Sequence, residues 1–426
     1  VLRECFAPIL GTAELEAKGM GAIRLRVLAE FGSVECSFAL LDEREPFLTA
    51  PLLEDGHDEN YLAPELSGED GSLYDHCCRA IDRSLATGAH GLPLMGTGDW
   101  NDGMSRVGRE GKGESVWMGF FLYRILGKFI PLCGSRGDRE RAANYEEHRN
   151  KLRVALNEGG WDGEWYRRAY YDNGVPLGSK DSDECKIDAL AQAWAVLSKA
   201  APPDRAALAM AAMERELISE EEGLIRLLTP PFVHTVNDPG YIKGYVAGVR
   251  ENGGQYTHAA CWAVQALAEH GERNRALRLW GMLTPVAHSL TPEAAERYKV
   301  EPYAVAADIY GAEPHVGRGG WTWYTGSSGW MYRVAIESLL GLRVEDGATL
   351  VIKPCIPDEW PSFVIHGSLP DGAASYRITV ENPGGCAARV VAAELDGVKS
   401  EAIEGGARIS LPRDGGHHEV RVILGR

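Results

Sequence analysis

The sequence predicts a mainly α fold followed by a β domain. Helix pairs gather into a partial α/α toroid up to about residue 340, and a small antiparallel β-sandwich occupies 341–426. Three observations predict it. Apolar residues recur at helical spacing from about residue 70 to 340. The helical segments come in pairs joined by long loops rich in glycine and aromatic residues, and a toroid gathers such loops over one central pocket. Beyond Gly341 the chain breaks into short β-rich runs separated by turn residues.

Residues 1–40 form an N-terminal segment of unclear type, with a weakly patterned helix over Ala13–Glu30. Residues 37–69 read as loop, with Pro46, Pro51, Gly56, Pro64 and Gly68. The region 41–340 then forms the helical domain. Its first clear helix runs from Ser72 to Ala86, capped by Asp70 or Ser72. After a glycine-rich loop from Gly88 to Gly113, Ser115–Ile130 reads as a buried helix stopped by Pro131. Asp138–Leu156 is a polar amphipathic helix, and Trp161–Tyr171 a short hairpin. Asp188–Ser198 with Asp204–Ile218, and His258–Glu269 with Glu272–Leu283, are two further helix pairs. Between them, residues 229–256 form a long loop with three prolines and five glycines, and loops of that length are usually functional. Ser328–Leu340 is the last helix. The strands follow at Thr349–Lys353, Phe363–Ile365, Ser375–Glu381, Arg389–Leu395, Ala407–Leu411 and Glu419–Leu424.

Composition bounds the function. The 426 residues suit about two to three domains. A 45% hydrophobic, 25% charged chain is globular, not disordered or collagen-like. A net charge of −17 argues against nucleic acid or an anionic membrane as the main partner, while leaving room for a local anion pocket. No uncharged apolar run is long enough to predict a membrane span. The nine cysteines are scattered without a CxxC pair, which suits a reducing, cytoplasmic setting. No HExxH or P-loop pattern occurs, and no metal site is expected. The start at Val1 has neither Met nor a signal-peptide core, so the chain reads as a piece of a longer protein.

Three loop clusters carry candidate chemistry. The first, Gly96 to Met104, sets Asp99 and Asp102 around Trp100 and Asn101. An indole is a platform for a sugar face, and a neighbouring Asp in surroundings that raise its pKa is a general acid. An Asx-rich turn with an inward Trp fits the same residues equally well. The second, Tyr245 to His258, packs Arg250, Glu251, amides and His258 into a loop opening a helix, a mixture suited to hydroxyls and anions. A surface loop with a locally packed His reads the same way. The third, Gly319 to Trp330, places Thr325-Gly326-Ser327-Ser328 at a helix start, where free N–H groups bind phosphate-like anions or merely cap the helix.

In this order the clusters resemble the glycoside phosphorylases of family 94, such as cellobiose and chitobiose phosphorylases. The resemblance is strongest to the C-terminal phosphorylase region of cyclic β-1,2-glucan synthases and to 1,2-β-oligoglucan phosphorylases. It rests on His90–Gly103, Gly113–Trp117, Gly240–His258, Tyr298–Tyr303 and Gly317–Trp330, and extends from about residue 40 to the C-terminus. It implies an (α/α)6 barrel followed by a β-sandwich. It also implies inverting phosphorolysis of β-glucosides to α-glucose 1-phosphate, with inorganic phosphate as co-substrate and no cofactor. Carried over by motif, Asp102 is the general acid and Trp100 lines the sugar site. Tyr245, Arg250 and Glu251 hold sugar hydroxyls, and His258, Thr325 and the Gly326 N–H hold phosphate. Asp99 is a structural partner of its loop.

The chemistry agrees with the residues. An inverting hydrolase needs a second carboxylate to activate water, for which Glu251 and Glu301 are the candidates. A phosphorylase needs one acid and an anion site. Two departures stand out. Roughly eight helices between 70 and 340 are fewer than the six pairs of a full barrel, and residues 1–36 do not match the family. The chain therefore reads as N-terminally incomplete, and a truncated, non-catalytic sugar-binding domain of a larger synthase is the other alternative. β-Gluco-oligosaccharide and phosphate are the expected ligands. A homodimer, as in free-standing members, or fusion to a larger synthase is the expected assembly.

Overall fold

The computed structural model describes residues 40–52, 60–323, 325–345, 347–369 and 373–426. The helix expected over 13–30, Tyr324, Asp346 and the side chain of Thr325 lie outside the described residues.

Nine α-helices form among the described residues: α1 (Leu73–Arg83), α2 (Val116–Ser135), α3 (Arg139–Glu158), α4 (Ala189–Ser198), α5 (Pro203–Leu217), α6 (Thr257–His270), α7 (Arg273–Leu283), α8 (Pro292–Tyr298) and α9 (Thr325–Arg333). Local chemistry starts several of them. Ser72 caps α1, and Asp75 returns a bond to the Ser72 N–H. Ser115, Asp138 and Asp188 each accept an N–H from the first turn of α2, α3 and α4, an arrangement each contributing about 1 kcal/mol.

The helices pack in two layers. α2 packs on α3 and α4, α4 on α5 and α6, and α6 on α7 and α9. Thus α2, α4, α6 and α9 run side by side as an inner arc, backed by α3, α5 and α7. The sequence agrees with that placement. α4 and α6 are buried on nearly every side, whereas α3 buries only the stripe Tyr145, Leu152 and Leu156. By length and composition α2 could cross a membrane, but its Phe120, Leu126 and Phe129 lie in the core shared by the arc. There Trp117, Trp194 and Trp262 meet, with centroids 6.0 Å and 5.2 Å apart along the series. Burying Phe120, Leu126 or Phe129 stabilises by about 1.5–3 kcal/mol each.

From Leu342 the chain builds two sheets: β3 (Leu342–Glu345), β4 (Thr349–Ile352), β5 (Ser362–Ser368), β6 (Ser375–Glu381), β7 (Arg389–Leu395), β8 (Val398–Lys399), β9 (Glu401–Ile403), β10 (Gly406–Ser410) and β11 (His417–Gly425), after a hairpin of β1 (Arg44–Thr49) and β2 (Glu65–Ser72) far upstream. Their orders are β3-β4-β10-β9 and β5-β6-β11-β7-β8, with a common core that includes Ile352, Val380, Ile409 and Val422.

The structure corrects four expectations. The larger sheet is mixed, not antiparallel. β11 enters between β6 and β7 and runs parallel to β6, with Ser375 opposite His417 and Glu381 opposite Ile423. Pro131 does not stop α2: it lies inside the helix near its C-terminal end, where it removes one N–H, and the helix runs on to Ser135. Fully buried Cys133, with the Tyr74 hydroxyl 3.2 Å from its Sγ, holds that turn in the core. The stretch expected as loop, 37–69, holds β1 and most of β2, whose pairing runs on to Ser72. Its strands are too polar to alternate, but Phe47 stacks on His76 at 4.0 Å under the Arg79 guanidinium. Finally, the helix expected at Ser328 begins at Thr325 and continues as a π-helical stretch over Val334–Leu339.

Candidate active site

The first cluster meets the segment leading into the second where two turns pack backbone against backbone. One is the 3-10 turn Asp102–Met104, the other the turn Tyr241–Gly244 within the 229–256 loop. Glycine permits the approach. Gly240 has φ +112°, and a Cβ there would stand 2.5 Å from the N and Oγ of Ser105. A Cβ on Gly103 would stand 3.0 Å from Ile242. The long loop is firmly anchored. Glu184 accepts the N–H groups of Val233, His234 and Thr235 at 2.9, 2.8 and 2.9 Å. The Asn252 side chain bonds Phe232 in both directions and the Tyr245 carbonyl.

Asp102 opens its turn exposed. The Tyr241 hydroxyl is hydrogen-bonded to it, and burial together with that bond raises the Tyr241 phenol above its usual pKa. Tyr245 lies 6.1 Å from Tyr241, centroid to centroid. The Arg250 guanidinium lies 5.0 Å from the Tyr245 ring and 5.6 Å from Trp321, and its Nε is 3.4 Å from Glu251 Oε2. Arg250 itself is left-handed, at φ 51°. Asp308 holds it there: its carboxylate accepts the Arg250 N–H at 3.2 Å and the Trp321 N–H at 3.3 Å. Asp308 thus joins the second and third clusters.

Trp100 points into an aromatic group. It meets Tyr256 and His258 edge-on, both at 5.4 Å, and Trp262 at 5.7 Å. His258, in the first turn of α6, also stacks on Trp330 at 5.7 Å. Its Nε2 is buried without a hydrogen-bond partner, and burial pushes the imidazole pKa down to about 3. A Cβ on Gly326 would come 3.8 Å from His258 Nδ1, so the first turn of α9 abuts the ring. The structure therefore groups Asp102, Tyr245, Arg250 and Glu251 on one side, and Trp100, His258 and Gly326 on the other. Thr325 contributes its backbone to the start of α9. Glu301 lies beside the third cluster, where its carboxylate accepts the Trp323 Nε1–H at 3.4 Å. Among the described residues no cluster of His, Cys, Asp and Glu could hold a metal ion.

A ring titration checks the His258 environment. The His258 nitrogen resonances are expected to stay those of neutral imidazole from pH 5 to 8. His418, hydrogen-bonded to Asp396 at 2.7 Å and Asp414 at 3.0 Å, has its pKa raised by those carboxylates. Its resonances will shift within the same NMR series.

Sequence reasoning missed Arg168. Its guanidinium is fully buried and grips both oxygens of Asp99 at 2.6 Å, while its Nε lies 3.2 Å from Asp188. Burial works against both carboxylates. For Asp99 the charge and forked bonds of Arg168 outweigh it and hold the pKa low. For Asp188 burial wins over Arg168, and its pKa rises from 3.8 to about 6. Between those values only the folded state keeps the Asp188 proton, so this group lowers stability as pH rises through that window. Asp188→Asn removes the titration. The Tm difference, variant minus parent, is expected to rise by roughly 5 °C between pH 4 and 7 in calorimetry.

The family model described as "Glycosyl hydrolase 94 superfamily, catalytic domain" matches residues 47–341. The chain is 48% identical over 354 residues to the cyclic beta-(1,2)-glucan synthase NdvB of Rhizobium meliloti, covering 83% of this chain and 12% of that protein. It is 33% identical over 362 residues to the 3-O-beta-D-glucopyranosyl-beta-D-glucuronide phosphorylase of Paenibacillus borealis, with 84% and 45% coverage. It is 31% identical over 369 residues to the N,N'-diacetylchitobiose phosphorylase of Vibrio proteolyticus, with 85% and 44% coverage. The chain thus spans less than half the length of each of these relatives.

Proposed function

The chain belongs to the glycosyl hydrolase 94 superfamily, and from that premise we infer that it carries the catalytic part of an inverting glycoside phosphorylase. The observation that carries the reading is the pairing of one exposed carboxylate, Asp102, with a separate anion-suited corner where His258 meets the first turn of α9. Asp102 gives its proton to the glycosidic oxygen as the C1–O bond breaks. A phosphate oxygen bonds to C1 from the opposite face, yielding α-glucose 1-phosphate from a β-glucoside. His258, Thr325 and the Gly326 N–H hold that phosphate, the only co-substrate. Neutral His258 does so through hydrogen bonding, not charge. Trp100 lines the sugar site, and Tyr245, Arg250 and Glu251 take its hydroxyls.

The substrate we favour is a β-1,2-linked gluco-oligosaccharide, supported by the 48% identity to a cyclic β-1,2-glucan synthase. The inner helices α2, α4, α6 and α9 then form an arc of an (α/α)6 toroid, within 41–340, and 341–426 is the appended sandwich. The chain works as part of a larger synthase, on the cytoplasmic side, in keeping with its free thiols at all described cysteines.

The test supplies α-glucose 1-phosphate with β-1,2-linked acceptors and follows phosphate release. Release that depends on acceptor is the expected result. Free glucose formed from oligosaccharide equally with and without phosphate overturns it in favour of hydrolysis.

A further inference from the structure

We propose that Arg168 is a positioning residue for Asp102, acting through Asp99. The inference rests on the reading of Asp102 as general acid. Arg168 has no exposed side-chain surface, and neither do Asp99 and Asp188. Its fork holds both Asp99 oxygens. Asp99 in turn accepts the Asn101 N–H at 3.0 Å and the Ser115 hydroxyl at 2.6 Å. Two successive hydrogen bonds, with the Asp99 carboxylate between them, therefore link the guanidinium to the Trp100–Asn101 peptide, one residue before Asp102.

The other contacts of the guanidinium are the starts of two inner helices. Ser115 caps α2, and Asp188 caps α4 through the Leu190 N–H at 2.7 Å. Arg168 is itself fixed at the backbone. Its N–H donates to the Leu177 carbonyl at 2.8 Å and its carbonyl accepts from Val116 N–H at 3.1 Å. The ionisable groups that face it are Asp99, Asp188 and the buried Cys185 thiol.

Burying a guanidinium with two carboxylates is an expensive way to join helices, since apolar contacts do so without desolvating charge. What a planar fork adds is direction. It fixes the plane of the carboxylate it holds, which a point charge or a methyl group does not. Here that plane sets the turn whose next side chains are Trp100 and Asp102.

The experiment compares leaving groups in phosphate buffer. A β-1,2-linked glucose disaccharide needs its leaving oxygen protonated; 2,4-dinitrophenyl β-glucoside does not. Arg168→Lys keeps the charge and loses the fork. Asp99→Asn keeps the shape and a hydrogen bond to Asn101, and serves if the lysine variant fails to fold. For either variant, kcat on the disaccharide is expected to fall about 100-fold while the aryl glucoside loses about threefold or less. KM for phosphate stays unchanged. Equal losses on both substrates, or none on either, overturn the proposal. Asp102→Asn run alongside separates the two ideas. If it too spares the disaccharide, the acid assignment fails; if it alone discriminates, only the positioning role fails. Should the chain turn over neither substrate, carboxyl 13C NMR gives the answer. In Arg168→Lys the Asp102 signal is expected to move while that of remote Asp396 stays, and an unmoved Asp102 signal overturns the proposal.

Discussion

Asp102→Asn is expected to lower kcat for phosphorolysis of a β-linked disaccharide by about 10²–10⁴-fold, the usual contribution of a positioned general acid. The carboxamide has no proton to give the departing sugar oxygen. Folding is expected to be unaffected, within about 0.5 kcal/mol, as for surface substitutions away from buried features. Asp102 is exposed at the first position of its turn, and the Tyr241 hydroxyl hydrogen-bonded to it can donate equally to the amide oxygen. Phosphate binding is expected to persist, because His258 and the start of α9 are untouched. Phosphate release measured in the synthetic direction, with thermal melting of the same sample, checks both halves. Unchanged turnover would remove Asp102 from the chemistry.

Gly240→Ala is expected to cost more than about 4 kcal/mol locally, a size reserved for clashes and strain that nothing nearby can relieve. Two effects add. At φ +112° the backbone is in a region that L side chains avoid. The new Cβ would also stand 2.5 Å from the Ser105 N and 2.8 Å from the Gly103 carbonyl, which are backbone atoms and not flexible side-chain ends. The two turns must part, carrying Tyr241 away from Asp102. Activity is expected to fall at least about 100-fold, the order seen for misplacement near 1 Å. Amide exchange over 96–107 and 238–245 is expected to quicken. Gly244→Ala is the control: a Cβ there meets nothing within 4 Å. Equal behaviour of the two variants would refute the argument.

Much of the helical layer was legible because burial leaves a periodic trace. Asp188–Ser198 reads as one member of a helix pair and forms α4, with Asp188 as its cap. Ser375–Glu381 and Arg389–Leu395 read as short β-rich runs between turn residues and coincide with β6 and β7. α8 left no such trace, since Pro292–Tyr298 is short and polar and only Tyr298 is buried. The parallel pairing of β6 with β11 was equally invisible, because alternation is the same in either direction.

The site divides in the same way. Asp102, Trp100, Tyr245, Arg250 and Glu251 sit in loops, and His258 and Gly326 in the helix starts that follow such loops; the composition of these stretches is unusual, and composition is local. Arg168 and Asp308 are not in such loops. Each acts on partners far along the chain, Asp99 and Arg250 respectively. A buried charge partner is chosen by how segments approach in space, and Tyr166-Arg167-Arg168-Ala169 advertises nothing of that.

The place of β11 has a consequence for synthesis. A sheet whose strands join in chain order can form hairpin by hairpin as it leaves the ribosome. This one cannot. β5 and β6 pair early, but the free edge of β6 waits for a partner until residue 425 has emerged. Throughout that interval Tyr376, Ile378 and Val380 lack their cover, on an edge open to any passing strand. The helical arc can be in place by then, so a nascent chain paused before β11 would present a folded catalytic layer trailing an adhesive ribbon.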